Sequence, residues 1–120
     1  MEVKLFFDYE ERGPVILISP KHSIELYHVN QLRQDIETIF NTGKYQTAIF
    51  TMEQVVYMDS SGIGVFLQLR QIYLGRITMR FCNMNPNVKM VFEYTNLVSH
   101  FIIDPDLSTS LAAVEYDNRT

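Results

Sequence analysis

The sequence predicts an α/β fold: a single domain with one mixed, mostly parallel β-sheet and about four helices. Three observations predict it. A β-hairpin signal opens the chain, short apolar segments then alternate with amphipathic helical segments, and turns rich in glycine, proline and asparagine separate them. Such alternation is typical of parallel strands joined by right-handed crossovers, and the hairpin places the first strand antiparallel to its neighbour.

The first half of the chain predicts a hairpin, a helix and a buried strand. Leu5-Phe6-Phe7 and Val15-Ile16-Leu17-Ile18 are rich in aromatic and β-branched residues, and the polar segment 10–14 between them predicts the turn. An amphipathic helix follows from residue 29, because apolar residues recur at spacings of three and four until the stop at Asn41-Thr42-Gly43. Residues 45–50 then predict a buried strand.

The second half continues the alternation. A helix is predicted after Gly62 and ends at Gly75, and residues 76–82 alternate like a strand. Asn85 is the predicted N-cap of a third helix, with Pro86 at its first position. Residues 100–103 predict a short edge strand and residues 107–114 a closing helix, so the domain is predicted to span 1–114, with 115–120 as a polar, frayed tail.

Composition narrows the classes of function. The chain has 120 residues, a net charge of -4 and a pI of about 5.2, a balance that disfavours binding to nucleic acid. The single cysteine, Cys82, lies in an apolar run and predicts a buried free thiol in a reducing compartment. The first ten residues do not resemble a signal peptide, and no apolar run is long enough for a membrane span, so the predicted location is the cytoplasm without membrane insertion.

The segment Val55 to Gly64 carries the main functional signal. Asp59 or Ser60 is expected to cap a helix that begins near Ser61, and Gly62 and Gly64 are expected to allow close backbone approach. Phosphorylation of a serine at such a helix start adds a charge of about -1.5 to -2, which the helix dipole tolerates but a packed partner does not. The same string is also compatible with a plain N-cap and a turn glycine that have no further role.

This segment, Val55-Val56-Tyr57-Met58-Asp59-Ser60-Ser61-Gly62-Ile63-Gly64, resembles the STAS domain family, and within it the anti-sigma factor antagonists of bacteria. Further stretches of the chain are similar to later segments of the family, namely Phe81 to Val88, Phe92 to Leu97 and Phe101 to Ala113.

The resemblance implies a regulatory, protein-binding module and not an enzyme. Ser60 matches the serine that is phosphorylated in the family, and Asp59 the aspartate before it. The implied partners are an anti-sigma factor that is also an ATP-dependent serine kinase, bound only by the unphosphorylated protein, and a metal-dependent serine phosphatase. No cofactor is implied for this chain, because the ATP and the metal belong to those partners.

The resemblance also implies a partner-binding surface. Its predicted residues are Asp59, Ser60, Ser61, Gly62 and Ile63, together with His22, Ser23 and Glu25 of the loop after the second strand. This loop departs from the family pattern, which often has a Gly-Glu-Leu-Asp turn: His22 stands where the glycine falls and Glu25 near the aspartate. The departure leaves open which class of partner docks there.

Two other functions stay open at this point. Small STAS proteins also resemble accessory components of membrane transport complexes, so a constitutive docking subunit is the first alternative. The second is an enzyme that acts through Ser60, although Met58 breaks the Gly-x-Ser-x-Gly pattern of hydrolases. The Gly62-Gly64 segment lacks the lysine of a phosphate-binding loop, and His22, His28 and His100 have no metal-ligand spacing.

Overall fold

The computed structural model describes residues 6–94 and 98–119, with side chains as far as Glu115. These ranges form strands and helices that alternate after an initial hairpin. The strands are β1 (Phe7–Arg12), β2 (Val15–Pro20), β3 (Thr47–Thr51), β4 (Thr78–Cys82) and β5 (Ile102–Asp104). The helices are α1 (Val29–Phe40), α2 (Ser60–Ile72), α3 (Pro86–Tyr94) and α4 (Leu107–Arg119), with a short 3₁₀ helix at Val98–His100.

The strands form one five-stranded sheet in the order β1-β2-β3-β4-β5. The first pair, β1 and β2, is antiparallel, and every other neighbouring pair is parallel. This arrangement confirms the predicted α/β class and the antiparallel first strand.

The hairpin turn is tighter than the sequence predicts. Arg12 pairs with Val15, so only Gly13 and Pro14 lie between the strands, and Gly13 adopts a φ of 57° that suits glycine. The charged residues 10–12, predicted as turn, belong to β1. They are exposed there, because β1 is an edge strand and its paired residues still reach water. Leu5, the predicted start of this strand, lies outside the described residues.

Other element ends shift by a few residues from their predicted positions. The strands β3, β4 and β5 each begin two residues later than predicted, because a strand extends only where a neighbour pairs with it: Thr47 pairs with both Val15 and Thr78. Helix α2 ends at Ile72, and Gly75 forms the turn after it at a φ of 82°. Helix α4 runs to Arg119, into the segment predicted as a tail, while Thr95 to Leu97 and Thr120 lie outside the described residues.

The sheet has a helical layer on each face. Helices α1, α2 and α3 cover one face, where the rings of Phe50, Phe66 and Phe81 pack together with centroids 4.9–5.3 Å apart. Helix α4 covers the other face over a smaller cluster that includes Val15, Ile49 and Cys82. The thiol of Cys82 is buried, as predicted, and burial raises its pKa to about 11.

The carboxyl ends of the parallel strands position the site. The segment after β2 and the segment after β3 leave the same edge of the sheet and meet at a parallel β-bridge between Ile24 and Met58. Both side chains are buried, at 0% and 1% exposure, so this bridge fixes the loop before α1 against the start of α2.

Candidate functional site

The start of α2 is organised by Asp59. This residue is the N-cap: its backbone is extended, with φ -99° and ψ 179°, and its Oδ1 accepts a hydrogen bond from the backbone N–H of Ser61 at 2.9 Å. The sequence leaves the cap open between Asp59 and Ser60, and the structure assigns it to Asp59. Ser60 is the first residue of the helix.

The two serines after the cap differ in environment. The side chain of Ser60 is exposed, and its hydroxyl has no hydrogen-bond partner among the described residues. Ser61 is half-buried, and its hydroxyl donates a hydrogen bond to Oδ1 of Asp59. The first turn of α2 therefore presents one free hydroxyl and one that is engaged.

The loop before α1 lies beside this helix start. The N–H of Ile24 donates to the carbonyl of Tyr57, and the N–H of Asp59 donates to the carbonyl of Ile24, both at 3.0 Å. A third bond runs from the N–H of Leu26 to Oδ2 of Asp59 at 3.1 Å. The predicted proximity of the loop residues 22–25 to Ser60 thus has a direct structural cause.

The polar side chains predicted in this loop are accessible to different degrees. His22 is exposed, and its ring packs edge-on against Phe6 with the centroids 5.5 Å apart. Ser23 and Glu25 are half-buried, and the carbonyl of Glu25 accepts a hydrogen bond from the N–H of His28 at 2.7 Å.

Two of the predicted contact residues, Gly62 and Ile63, are buried. The side chain of Ile63 is 1% exposed and belongs to the main core, and its contact with a partner stays a prediction. At Gly62 an added Cβ would lie 2.8 Å from Cγ and Sδ of Met58 and 2.9 Å from Cγ2 of Ile24. Gly62 therefore allows α2 to pack against the Ile24–Met58 bridge, whereas an added Cβ at Gly64 would meet nothing within 4 Å.

Hydrogen bonds stabilise the ionised form of Asp59. Burial opposes its ionisation, but the hydrogen bonds from Ser61, Leu26 and Gly62 outweigh that effect and hold the pKa of the carboxyl below its ordinary value. The carboxylate thus stays ionised at neutral pH directly beside the free hydroxyl of Ser60.

Exposed apolar side chains lie on the two segments that the Ile24–Met58 bridge joins. Leu26 and Tyr27 are 73% and 90% exposed in the loop before α1, and Val56 and Tyr57 are 70% and 50% exposed in the segment after β3. We call these four residues the apolar rim. The segment that carries Val56 is held by Asn85, whose Nδ2 donates to the carbonyls of Val55 and Val56 at 3.0 Å.

The apolar rim is not among the site residues predicted from the sequence. The signal that could have identified it is the pair of adjacent apolar residues in each of two segments, Leu26-Tyr27 and Val56-Tyr57, where no helical or strand periodicity explains them. Where exposed apolar side chains lie together on a monomeric domain, they typically mark an interaction surface.

The described residues contain no group of three or more histidine, cysteine, aspartate or glutamate side chains that could hold a metal ion. Among the same residues, no helix is both long enough and apolar enough to span a membrane.

The family model of the STAS domain matches residues 6–111 of the chain. A curated relative, the anti-sigma F factor antagonist of Lysinibacillus sphaericus, is 32% identical over 76 residues. That match covers 61% of this chain and 65% of the relative, so it spans slightly less than two thirds of the relative's length.

Solved structures share the fold. An anti-sigma factor antagonist from Mycobacterium paratuberculosis has a TM-score of 0.82 at 17% identity, over 91% of this chain and 92% of that one. The antagonist SpoIIAA of Bacillus, in its unphosphorylated form, has a TM-score of 0.72 at 24% identity, over 91% and 96% of the two chains. The murine anion transporter solute carrier 26 family member A9 contains a similar region, with a TM-score of 0.71 at 17% identity, over 89% of this chain and 18% of that one.

Proposed function

This chain is a member of the STAS domain family, and we propose that it is an anti-sigma factor antagonist whose partner binding is switched by phosphorylation of Ser60. The observation that carries the proposal is the free, exposed hydroxyl of Ser60 at the start of α2, beside the two segments that the Ile24–Met58 bridge joins and that carry the apolar rim. The name of the curated relative, an anti-sigma F factor antagonist, supports the same role.

The unphosphorylated protein binds an anti-sigma factor through the surface around Ser60. The apolar rim supplies the affinity, because fully burying a side chain such as leucine or valine contributes about 1.5–3 kcal/mol before the costs of association. The polar residues His22, Ser23, Glu25 and Asp59 lie at the edges of this surface and contribute to its specificity. Gly62 and Ile63 act indirectly, by holding α2 in place.

Phosphorylation ends this binding. The Oγ of Ser60 attacks the γ-phosphorus of ATP in the kinase, a P–O bond forms, the bond to the bridging oxygen breaks and ADP leaves, while the hydroxyl proton passes to a base of the kinase. The product adds a charge of about -1.5 to -2 next to the carboxylate of Asp59. A partner packed on the apolar rim would have to desolvate both charges, and it dissociates instead.

A serine phosphatase restores the binding form. Water attacks the phosphorus of phospho-Ser60, the bond between phosphorus and Oγ breaks, Oγ takes up a proton and inorganic phosphate is released. The metal that activates this water belongs to the phosphatase, and the ATP belongs to the kinase. The role places the protein in the cytoplasm, where a reducing environment suits the free thiol of Cys82.

The site offers no catalytic pairing of its own. Among the described residues no histidine is hydrogen-bonded to Ser60, and the nearest carboxylate in sequence, Asp59, is engaged by Ser61 and Leu26. A nucleophilic serine requires an adjacent base, so a hydrolase that acts through Ser60 is disfavoured. A constitutive docking subunit remains the alternative, since the fold alone is also found within an anion transporter.

The test uses the full chain with a purified kinase-type anti-sigma factor from the same cells. With ATP, wild type should acquire one phosphate on Ser60 and lose its partner. Ser60→Ala should bind with or without ATP, and Ser60→Asp should bind at least tenfold more weakly, the factor for about 1.4 kcal/mol. Equal binding by both variants, or no phosphate on wild type, would contradict the switch and favour the docking subunit.

The apolar rim provides a second arm of this test. Tyr27→Ser and Val56→Ser remove exposed apolar surface without touching the core, so both should fold normally and bind the anti-sigma factor more weakly. Ile72→Ser is the matched control, because Ile72 is also exposed, at 46%, but lies at the opposite end of α2.

A further inference from the structure

Two adjacent hydroxyls stand at the start of α2, and we propose that Asp59 determines which of them accepts the phosphate. In this proposal, which rests on the proposed function, Asp59 is a positioning residue that withholds Ser61 from the kinase and leaves Ser60 as the acceptor. The two serines are adjacent and share almost the same flanking sequence. That sequence alone therefore does not tell a kinase which of them to phosphorylate.

The hydroxyl of Ser61 is held by Asp59. Its Oγ donates a hydrogen bond to Oδ1 of Asp59, and the same carboxylate oxygen accepts the backbone N–H of Ser61 at 2.9 Å. The paired bonds fix the Ser61 side chain toward the cap, where it is half-buried. To attack a phosphorus atom, Ser61 must first break a hydrogen bond to a charged group and rotate outward.

Asp59 is a poor base for Ser61, although its Oδ1 is hydrogen-bonded to the Ser61 hydroxyl. Its Oδ1 accepts two bonds from Ser61 and its Oδ2 accepts the N–H of Leu26 at 3.1 Å. A carboxylate with several donors holds its proton weakly, and the same bonds keep the pKa of Asp59 below its ordinary value. The carboxylate therefore restrains the hydroxyl without taking its proton.

Ser60 has no such restraint. It is the first residue of α2, its side chain is exposed, and its hydroxyl has no hydrogen-bond partner among the described residues. Its Oγ can rotate into a kinase site without breaking a hydrogen bond to any described residue. The difference between the serines is thus one hydrogen bond to a charged acceptor, which corresponds to roughly a 10- to 100-fold difference in rate.

The test removes Ser60 and asks whether Ser61 can replace it. Ser60→Ala, Asp59→Gly/Ser60→Ala and Asp59→Asn/Ser60→Ala are each produced at the natural level in the cells that make the protein, and the phosphorylated residues are located by mass spectrometry. Glycine is chosen because it removes the acceptor yet costs only a few tenths of a kcal/mol at an N-cap. Asparagine keeps an oxygen that can accept from Ser61.

We expect at least about tenfold less phosphate on Ser61 in Ser60→Ala than in the glycine double variant, and about tenfold less in the asparagine double variant than in the glycine one. Thermal unfolding of the purified variants accompanies the assay. A loss of helix stability alone would not explain why the asparagine double variant carries less phosphate on Ser61 than the glycine double variant. The single variant Asp59→Gly is produced as a control for kinase binding. Equal phosphate on Ser61 in Ser60→Ala and in the glycine double variant would overturn the proposal, as would its absence from the glycine double variant while Asp59→Gly is still phosphorylated on Ser60.

Wild-type protein distinguishes a failure of this proposal from a failure of the phosphorylation switch at Ser60. If wild type carries no phosphate on either serine under conditions in which the partner kinase is active, the switch itself fails and this proposal fails with it. If wild type and Asp59→Gly are both phosphorylated on Ser60 and the glycine double variant is not phosphorylated on Ser61, only the role of Asp59 fails.

Discussion

At the scale of single residues, the two glycines of the switch segment have different physical roles. Gly62 faces the buried bridge between Ile24 and Met58, where a Cβ would come within 2.8–2.9 Å of both side chains. Gly64 lies two residues further along the same helix and faces open space. Sequence alone assigns both glycines to close approach, and the structure retains that role only for Gly62.

This difference predicts that substitution by alanine has opposite effects on the free energy of unfolding at the two glycines. Gly62→Ala should lower the free energy of unfolding by about 1–3 kcal/mol, because the buried Met58 and Ile24 must shift. Gly64→Ala should raise it by up to about 1 kcal/mol, since alanine favours a helix and meets no neighbour there. Urea unfolding followed by circular dichroism measures both, and equal effects of the two variants would contradict the packing role of Gly62.

At the scale of elements, a buried polar cluster ties β4, β5 and α4 together. Asp104 accepts hydrogen bonds from Nε of Arg80 at 3.1 Å and from Oγ of Ser110 at 2.6 Å. The side chains of Arg80 and Asp104 are only 11% and 13% exposed, and Ser110 is fully buried. The carboxylate of Asp104 therefore satisfies a cation and a hydroxyl that would otherwise be buried without partners.

We expect Asp104→Ala to destabilise the fold by about 3–5 kcal/mol, because it leaves Arg80 as an uncompensated, mostly buried charge. The matched control is Glu37→Ala, which breaks the Arg33–Glu37 pair on α1, where the side chains are 30% and 26% exposed. That helical pair should contribute only about 0.3–0.5 kcal/mol. Thermal and urea unfolding of the two variants provide the comparison, and similar losses would argue against a distinct role for the buried cluster.

At the scale of the whole molecule, the proposed switch acts on the surface and leaves the fold intact. Ser60 lies outside the core, and a negative group at a helix N-terminus interacts favourably with the helix dipole. The neighbouring carboxylate of Asp59 opposes that gain. The two effects on the stability of the fold act in opposite directions. We therefore expect a charge at Ser60 to act mainly on a partner bound to the apolar rim.

A pair of variants with the same change in charge tests this view. Ser60→Asp should change the free energy of unfolding by no more than about 0.5 kcal/mol, as expected of an exposed substitution. Ser61→Asp should lower it by about 1–2 kcal/mol, because it replaces a hydrogen bond to Asp59 with a like charge. The readout is urea unfolding at neutral pH, and a Ser60→Asp variant as unstable as Ser61→Asp would place the switch inside the fold.

The features that the sequence predicts correctly depend on residues close together in the chain. Apolar spacing within one segment predicts the alternation of strands and helices, and the Asn85 cap follows from a side chain that bonds to backbone three residues on. The burial of Cys82 follows from the apolar run around it. These are local properties, and the α/β class could be predicted from them.

Long-range contacts decided the rest. The ends of β3, β4 and β5 depend on pairing with other strands, and the burial of Ile63 depends on how α2 docks against the sheet. The apolar rim combines segments that lie about thirty residues apart in the chain, joined through the Ile24–Met58 bridge. The contrast between a free Ser60 and a restrained Ser61 likewise exists only once Asp59 adopts its cap conformation, because a hydrogen bond requires a defined geometry that residue order does not supply.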